Sequence, residues 1–158
     1  MQLVPPDATG AYVIAELGIN HGGSSDVARL LMRHAAEAGA HAVKFQYRGS
    51  HLYKRSSQPL EIGHELVVQD LERSRLSASV VVDLARYAKT LGLAVGTSLF
   101  SIKDLDDFSE WREIFDFFKV PSAELMNREL IQGLIGKLPL LLSLGGHSED
   151  DVSASLSA

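Results

Sequence analysis

Cysteine is absent from the 158 residues, aromatic residues make up only 7%, and proline occurs just 5 times. The first absence excludes a disulfide-stapled scaffold. With 46% of residues hydrophobic, disordered and collagen-like chains are excluded as well. There is no basic block, since 15 Lys and Arg stand against 20 Asp and Glu for a formal charge of −5. That balance argues against a nucleic-acid or acidic-membrane footprint, so any cation that binds an anion does so locally, inside a site. Long apolar runs are missing too. Residues 138–142, for example, form a run that is interrupted by Pro139 and is far too short to span a bilayer. Residues 1–6 lack the basic and apolar regions of a signal peptide, so the expected location is cytoplasmic. What remains is the composition of a soluble globular domain with a sizeable core.

One unit then repeats along the chain: a short, mostly apolar run, a loop and a capped helix. Residues 12–16 read as a strand that delivers Glu16 into a loop containing Gly18, Gly22 and Gly23. Ser25 and Asp26 can cap a helix whose apolar positions Val27, Leu30, Leu31, Ala35 and Ala38 run up to Gly39. The second strand, 42–46, is followed by a long loop and a helix over 78–91. A third strand at 93–98 leads into a short acidic helix near 103–110, and a fourth at 115–120 into a helix capped by Asn127. After the fifth, 140–144, Ser148 and Asp151 have the spacing of a capping box for one more helix. Five such alternations predict an α/β fold of parallel strands joined by right-handed crossovers.

An open doubly wound sheet would fit this length. The polar residues favour a closed (β/α)8 TIM barrel, because the barrel displays functional groups at the C-terminal ends of many strands. Each predicted strand ends in one: Glu16, Lys44 with Gln46, Thr97 with Ser98, Lys119, and Ser143. A full barrel needs roughly 250 residues, so residues 1–158 are read as an incomplete barrel of about five β/α units that ends inside its fifth helix. The segment 47–74, rich in Ser, Arg, His and Glu, exceeds an ordinary connection and follows a strand end, where a substrate-covering loop would sit.

Lys44 and Lys119 lie inside otherwise apolar strands, and a buried ammonium is costly unless an anion pairs with it. One reading is a structural ion pair with Glu16 or Glu124. The other is two cations that hold the phosphate and carboxylate of one small substrate. Ser98, Ser122 and Ser143 can donate hydroxyls to such an anion, or can serve only as turn and cap residues. His21 stands in the first loop, where a small substrate would sit, and no histidine pair has the spacing of a metal site.

Four strings make the sequence recognisable: Ala-Glu-Leu-Gly-Ile-Asn-His-Gly-Gly at 15–23, Glu-Ala-Gly-Ala-His-Ala-Val-Lys-Phe-Gln at 37–46, Phe-Lys-Val-Pro-Ser-Ala-Glu-Leu-Met-Asn at 118–127 and Leu-Leu-Ser-Leu-Gly-Gly at 141–146. In this order and spacing they closely resemble the sialic acid (N-acetylneuraminate) synthase family. The resemblance implies the N-terminal part of a (β/α)8 barrel that condenses phosphoenolpyruvate with N-acetylmannosamine or a related hexose and releases phosphate. It implies that Lys44 and Ser122 contact the phosphate, Lys119 the carboxylate end, and Gln46 and Glu124 the sugar, with Glu16 a site carboxylate of open role. A divalent metal, Mn or Mg, and a homodimer are implied for the full-length enzyme, the metal's histidine ligands lying outside these residues. Two departures from the family pattern stand out. Thr97-Ser98-Leu99-Phe100 lacks the proline of Ser-Thr-Pro-Phe, and Ser143-Leu144-Gly145 lacks one hydroxyl of Ser-Thr-Gly.

Two other functions remain open at this point. A related octulosonate or heptulosonate phosphate synthase would want loop cations for a phosphorylated sugar, and Arg48, Lys54 and Arg55 supply them. A catalytically inactive half-barrel would instead associate through its exposed strand edges.

Overall fold

The computed structural model describes residues 10–49 and 65–157. Five parallel strands form one sheet: β1 (Ile14–Gly18), β2 (Ala42–Gln46), β3 (Ala94–Ser98), β4 (Phe117–Val120) and β5 (Leu140–Leu142). Six helices accompany them: α1 (Ser25–Glu37), α2 (Glu65–Arg73), α3 (Ala78–Thr90), α4 (Trp111–Ile114), α5 (Arg128–Leu134) and α6 (Glu149–Leu156).

Strand order in the sheet follows chain order, and every pairing is parallel. A doubly wound sheet reverses its strand order at a switch point so that helices cover both faces. Here the order never reverses, and crossovers of one hand place their helices on one face. The packing agrees. Leu17, Val43, Phe45, Val95, Phe118 and Val120 alternate along the strands toward a single core with Ala28, Met32, Val81, Leu84, Leu130 and Leu134 of the helices. The opposite face carries Glu16, Lys44, Gln46, Gly96, Ser98, Phe117 and Lys119, and this is the inward face of a barrel wall.

Gly96 shows how tightly that inward face is built. A Cβ at this position would lie 2.2 Å from the Phe117 ring, so the ring of β4 lies across the bare backbone of β3. Phe117 is fully buried there, outside the helix-facing core. At the rim, Gly23 takes φ +83°, and a Cβ would meet the Arg73 carbonyl oxygen at 2.5 Å. Only glycine lets the loop after β1 approach the end of α2 in this way.

Several boundaries differ from the sequence reading. The first strand runs 14–18 rather than 12–16, because the Val13 N–H donates to the His41 ring (3.0 Å) and Tyr12 stacks on that ring instead of entering the ladder. The fourth begins at Phe117 rather than 115, since the one-turn helix α4 precedes it and the Asp116 carboxylate takes the Val95 N–H at 2.8 Å. The fifth stops at Leu142. The acidic helix expected near 103–110 is a 3-10 helix, Ile102–Asp107, tightened by a capping box between Ser101 and Asp104. The segment 47–74 is no plain loop, for it contains α2, while residues 50–64, with Lys54 and Arg55, lie outside the described residues. The caps expected at Asn127 and Ser148 are present, each side chain accepting a backbone N–H of the first turn.

Candidate functional site

The parallel register places the polar residues of the inward face in two layers. Glu16, Lys44 and Gly96 are neighbours across β1, β2 and β3. Two residues further along, Gln46, Ser98 and Lys119 are neighbours across β2, β3 and β4. Side chains two apart on a strand share a face, so both layers open toward the C-terminal rim.

The Lys44 ammonium forms an ion pair with the Glu16 carboxylate and donates to the Ser98 hydroxyl at 2.9 Å. Lys44 is only 5% exposed. Burial pushes its pKa below the ordinary lysine value, the Glu16 contacts oppose that shift, and the charge of Lys119 adds to it. Lys119 stands in the next layer of the same face, beside Ser98 in the register. Glu16, with its side chain 45% exposed, is the internal anion that offsets Lys44. Glu16 and Gln46 also face one another across Gly18, their side-chain atoms 3.3 and 3.2 Å from the point where a Cβ would stand. Gly18, with φ +50°, keeps that space clear.

The other predicted residues stand on the same rim but are held separately. Ser122 and Glu124 form a 3-10 turn directly after β4. The His147 ring lies 2.7 Å from the Ser122 carbonyl oxygen, and the Glu124 carboxylate accepts from the Asn127 amide at 2.9 Å. Ser143 follows β5, its N–H donating to Val120. Among the described residues, no hydrogen bond or ion pair ties the side chains of Ser122, Glu124 or Ser143 to Lys44. Thr97 belongs to the other face. It sits between Phe45 and Phe118 in the register, fully buried on the helix side, so of the pair Thr97 and Ser98 only the serine reaches the site.

His21 is nearly buried, and its Nδ1 accepts the Gly23 N–H at 3.1 Å. Burial lowers its pKa, partly offset by a hydrogen bond to the Gly18 backbone. Its ring thus helps fold its own loop, and the burial favours the neutral form.

Asp104 was missed. It is fully buried and accepts the N–H groups of Gly49 (2.8 Å), Phe100 (2.9 Å) and Ser101 (3.0 Å), clamping the chain after β2 to the chain after β3. The one signal available was the Ser101-x-x-Asp104 capping spacing, which says nothing of Gly49. Tyr47 strengthens the same clamp, its hydroxyl donating to Asp107 at 2.6 Å.

A layered cation pair on the inward face of a parallel barrel wall narrows the possibilities, and a family comparison decides among them. The NeuB family model matches residues 31–158. This chain belongs to the NeuB family. Among curated NeuB-type relatives, N,N'-diacetyllegionaminic acid synthase of Campylobacter jejuni is 28% identical over 153 residues, covering 91% of this chain and 45% of that protein. Human N-acetylneuraminate-9-phosphate synthase is 30% identical over 149 residues, covering 88% of this chain and 40% of that protein. The chain thus spans less than half the length of these relatives. Among solved structures, the N-acetylneuraminic acid (sialic acid) synthetase of Leptospira borgpetersenii superposes with a TM-score of 0.82 at 21% identity, over 99% of this chain and 54% of that one. The DAHP synthase of Thermotoga maritima follows with a TM-score of 0.67 at 17% identity, over 98% of this chain and 40% of that one. At these identities the structural likeness concerns the fold, an incomplete TIM barrel.

Proposed function

We propose that these residues form the anion-holding part of a synthase that joins phosphoenolpyruvate to N-acetylmannosamine or a related N-acetylated hexose, yielding a nonulosonic, sialic-type acid and phosphate. The observation that carries the reading is the buried Lys44 beside Lys119 on the inward face, because two cations so placed are a liability to the fold and an asset to a polyanion. In this reading Lys44 and Ser122 face the phosphate, Lys119 the carboxylate end, and Gln46 and Glu124 the sugar. Ser98, already bonded to Lys44, fixes where the ammonium points, and Ser143 donates from the neighbouring strand end.

The chemistry suits these groups. The enol carbon of phosphoenolpyruvate attacks the aldehyde carbon of the open-chain sugar, forming the new C–C bond while the aldehyde oxygen takes a proton. Water adds to the oxocarbenium-like carbon left behind, and the C–O bond to phosphate breaks as phosphate departs. Fixed cations restrain the polyanion throughout and need no reorganisation as charge shifts. The divalent metal that the family resemblance implies finds no ligand set here: among the described residues no group of three His, Asp or Glu side chains could hold one. The homodimer is likewise a property proposed for the full-length protein. Among the described residues no helix is long and apolar enough to cross a membrane.

The test is to titrate the purified 158-residue chain with phosphoenolpyruvate, then add N-acetylmannosamine and manganese and follow phosphate release. Binding that is lost in Lys44→Gln and Lys119→Gln, without turnover, is the expected result. Turnover at enzymatic rates would overturn the view that this part is inactive alone, and binding indifferent to both lysines would overturn the cradle.

A further inference from the structure

We propose that His147 is a positioning residue for the anion site: its ring Nε2–H, donated to the Ser122 carbonyl, aims the turn that carries Ser122 and Glu124. The role deepens the function proposed above, in which Ser122 faces the phosphate and Glu124 the sugar, and it rests on that reading. The ring nitrogen and the carbonyl oxygen are 2.7 Å apart. A carbonyl oxygen can only accept, so Nε2 carries the proton and the tautomer follows from the partner. Twenty-five residues separate the two, and the chain after β5 is built to join them. The Ser143 N–H donates to the Val120 carbonyl, which sets the end of β5 beside the end of β4. Gly146 then takes φ +80°, a conformation that glycine adopts without a Cβ penalty. With its N–H on the Leu144 carbonyl, His147 comes back against the 3-10 turn Ser122–Glu124.

That turn closes on itself through the Glu124 N–H to Pro121 and the Leu125 N–H to Ser122, bonds that shape it without tying it to the rest of the fold. The chain from His147 through α6 supplies the tie at both ends. His147 holds the Ser122 carbonyl, and the Ser155 hydroxyl donates to the Leu125 carbonyl at 2.6 Å. Among the described residues of α6 only Ser155 is buried, so this helix docks through a polar contact with the turn. Asp151 caps the same helix, accepting the N–H (3.0 Å) and the hydroxyl (2.8 Å) of Ser148. It lies 3.9 Å from the other ring nitrogen, too far for a hydrogen bond, which leaves the Ser122 carbonyl as the firm contact of the ring. The His147 side chain is 21% exposed, so replacing it opens no cavity in the core. What it fixes is the backbone of the residue whose hydroxyl meets the phosphate. A hydroxyl aimed beforehand loses little freedom on binding, and a misdirected one weakens steeply with angle.

The test is calorimetric titration of the purified chain with phosphoenolpyruvate in the wild type, His147→Gln and His147→Leu, with circular dichroism melts of each. Glutamine can place an amide N–H near the position of Nε2, and leucine cannot. Affinity is expected to fall about five- to tenfold in His147→Leu, the effect of one hydrogen bond, and to be largely restored in His147→Gln. Because His147 acts through Ser122, its removal should matter little in a Ser122→Ala background, a coupling that general weakening of the fold would not produce. Unchanged affinity in His147→Leu, equal losses in the Gln and Leu variants, or additive losses with Ser122→Ala overturns the positioning role. Should His147→Leu fail to fold, long-range nitrogen–proton NMR spectra of the wild type decide. They should show the Nε2–H tautomer and a shift of the His147 ring signals on saturation with phosphoenolpyruvate; the Nδ1–H tautomer or unmoved signals overturn the role. Binding that depends on Lys44 and ignores His147 leaves the proposed function standing while this role falls, whereas absence of Lys44-dependent binding overturns both.

Discussion

Lys44→Met separates what the buried ammonium does for the site from what it does to the fold. Methionine keeps the apolar stem and removes the charge. The lysine pKa is lowered because burial outweighs the Glu16 contacts, so the folded chain disfavours the charged form. Between the lowered value and the ordinary lysine value the unfolded chain binds more protons, and the contribution of this residue to stability rises with pH across that window. In its charged form, which burial disfavours, the ammonium is a net burden. Removing it leaves Glu16, which is half exposed and rehydrates instead of becoming a stranded charge. The Ser98 hydroxyl, 1% exposed, loses its partner at a cost of about 1 kcal/mol. Because Glu16 is half exposed, the penalty for losing its partner is small and is offset by relief of the buried charge, so the expected Tm lies within about 4 °C of the wild type. The anion site, in contrast, loses a charge-assisted bond, and phosphoenolpyruvate affinity should fall by about ten- to hundredfold. Thermal melts at pH 7 and a phosphoenolpyruvate titration give both numbers. A Tm that drops by more than about 4 °C would show that the ion pair with Glu16 is net stabilising and refute the reasoning. Undiminished phosphoenolpyruvate affinity would refute the cradle.

Gly96→Ala drives a methyl into the Phe117 ring and should cost about 1–3 kcal/mol in urea unfolding; Phe117→Leu in the same chain should recover part of it, and additive losses would contradict the close contact. His21 is held neutral with a lowered pKa, so its contribution is complete above the ordinary histidine value and is lost as pH falls below it. Melting temperature should therefore drop on acidification from pH 7 to pH 5, with a shallower slope in His21→Asn; an unchanged slope would place the acid sensitivity elsewhere. Asn127→Ala removes the cap of α5 and the donor to Glu124, with an expected loss of about 1 kcal/mol measured by chemical denaturation. Asp104→Ala leaves three N–H groups without their acceptor and should be the most damaging of these changes, exceeding about 3 kcal/mol; a fold that tolerates it would show that residues 47–49 are held by other contacts.

The amino-acid sequence by itself determined the repeating strand-and-helix unit, because apolar runs, Gly stops and Ser or Asn caps are local signals, and it determined which residue types stand at strand ends. Lys44 and Lys119 stood out as charged residues inside apolar strands, with a structural ion pair and an anion site as the two readings that pattern leaves open. Only the tertiary structure decided partners and faces. Whether Lys44 pairs with Glu16 or Glu124 depends on the register of β1 against β2, and no local pattern encodes a register between strands 28 residues apart, as Ile14 and Ala42 are. The side of the sheet on which Thr97 and Ser98 fall follows from the two-residue period once that register is set, and it sends one inward and the other into the helix layer. Asp104 looked like one acid among several on a surface helix. Its role appears only where the folded chain brings Gly49 and Phe100 to the same carboxylate, because a buried backbone N–H must find an acceptor wherever in the sequence that acceptor lies.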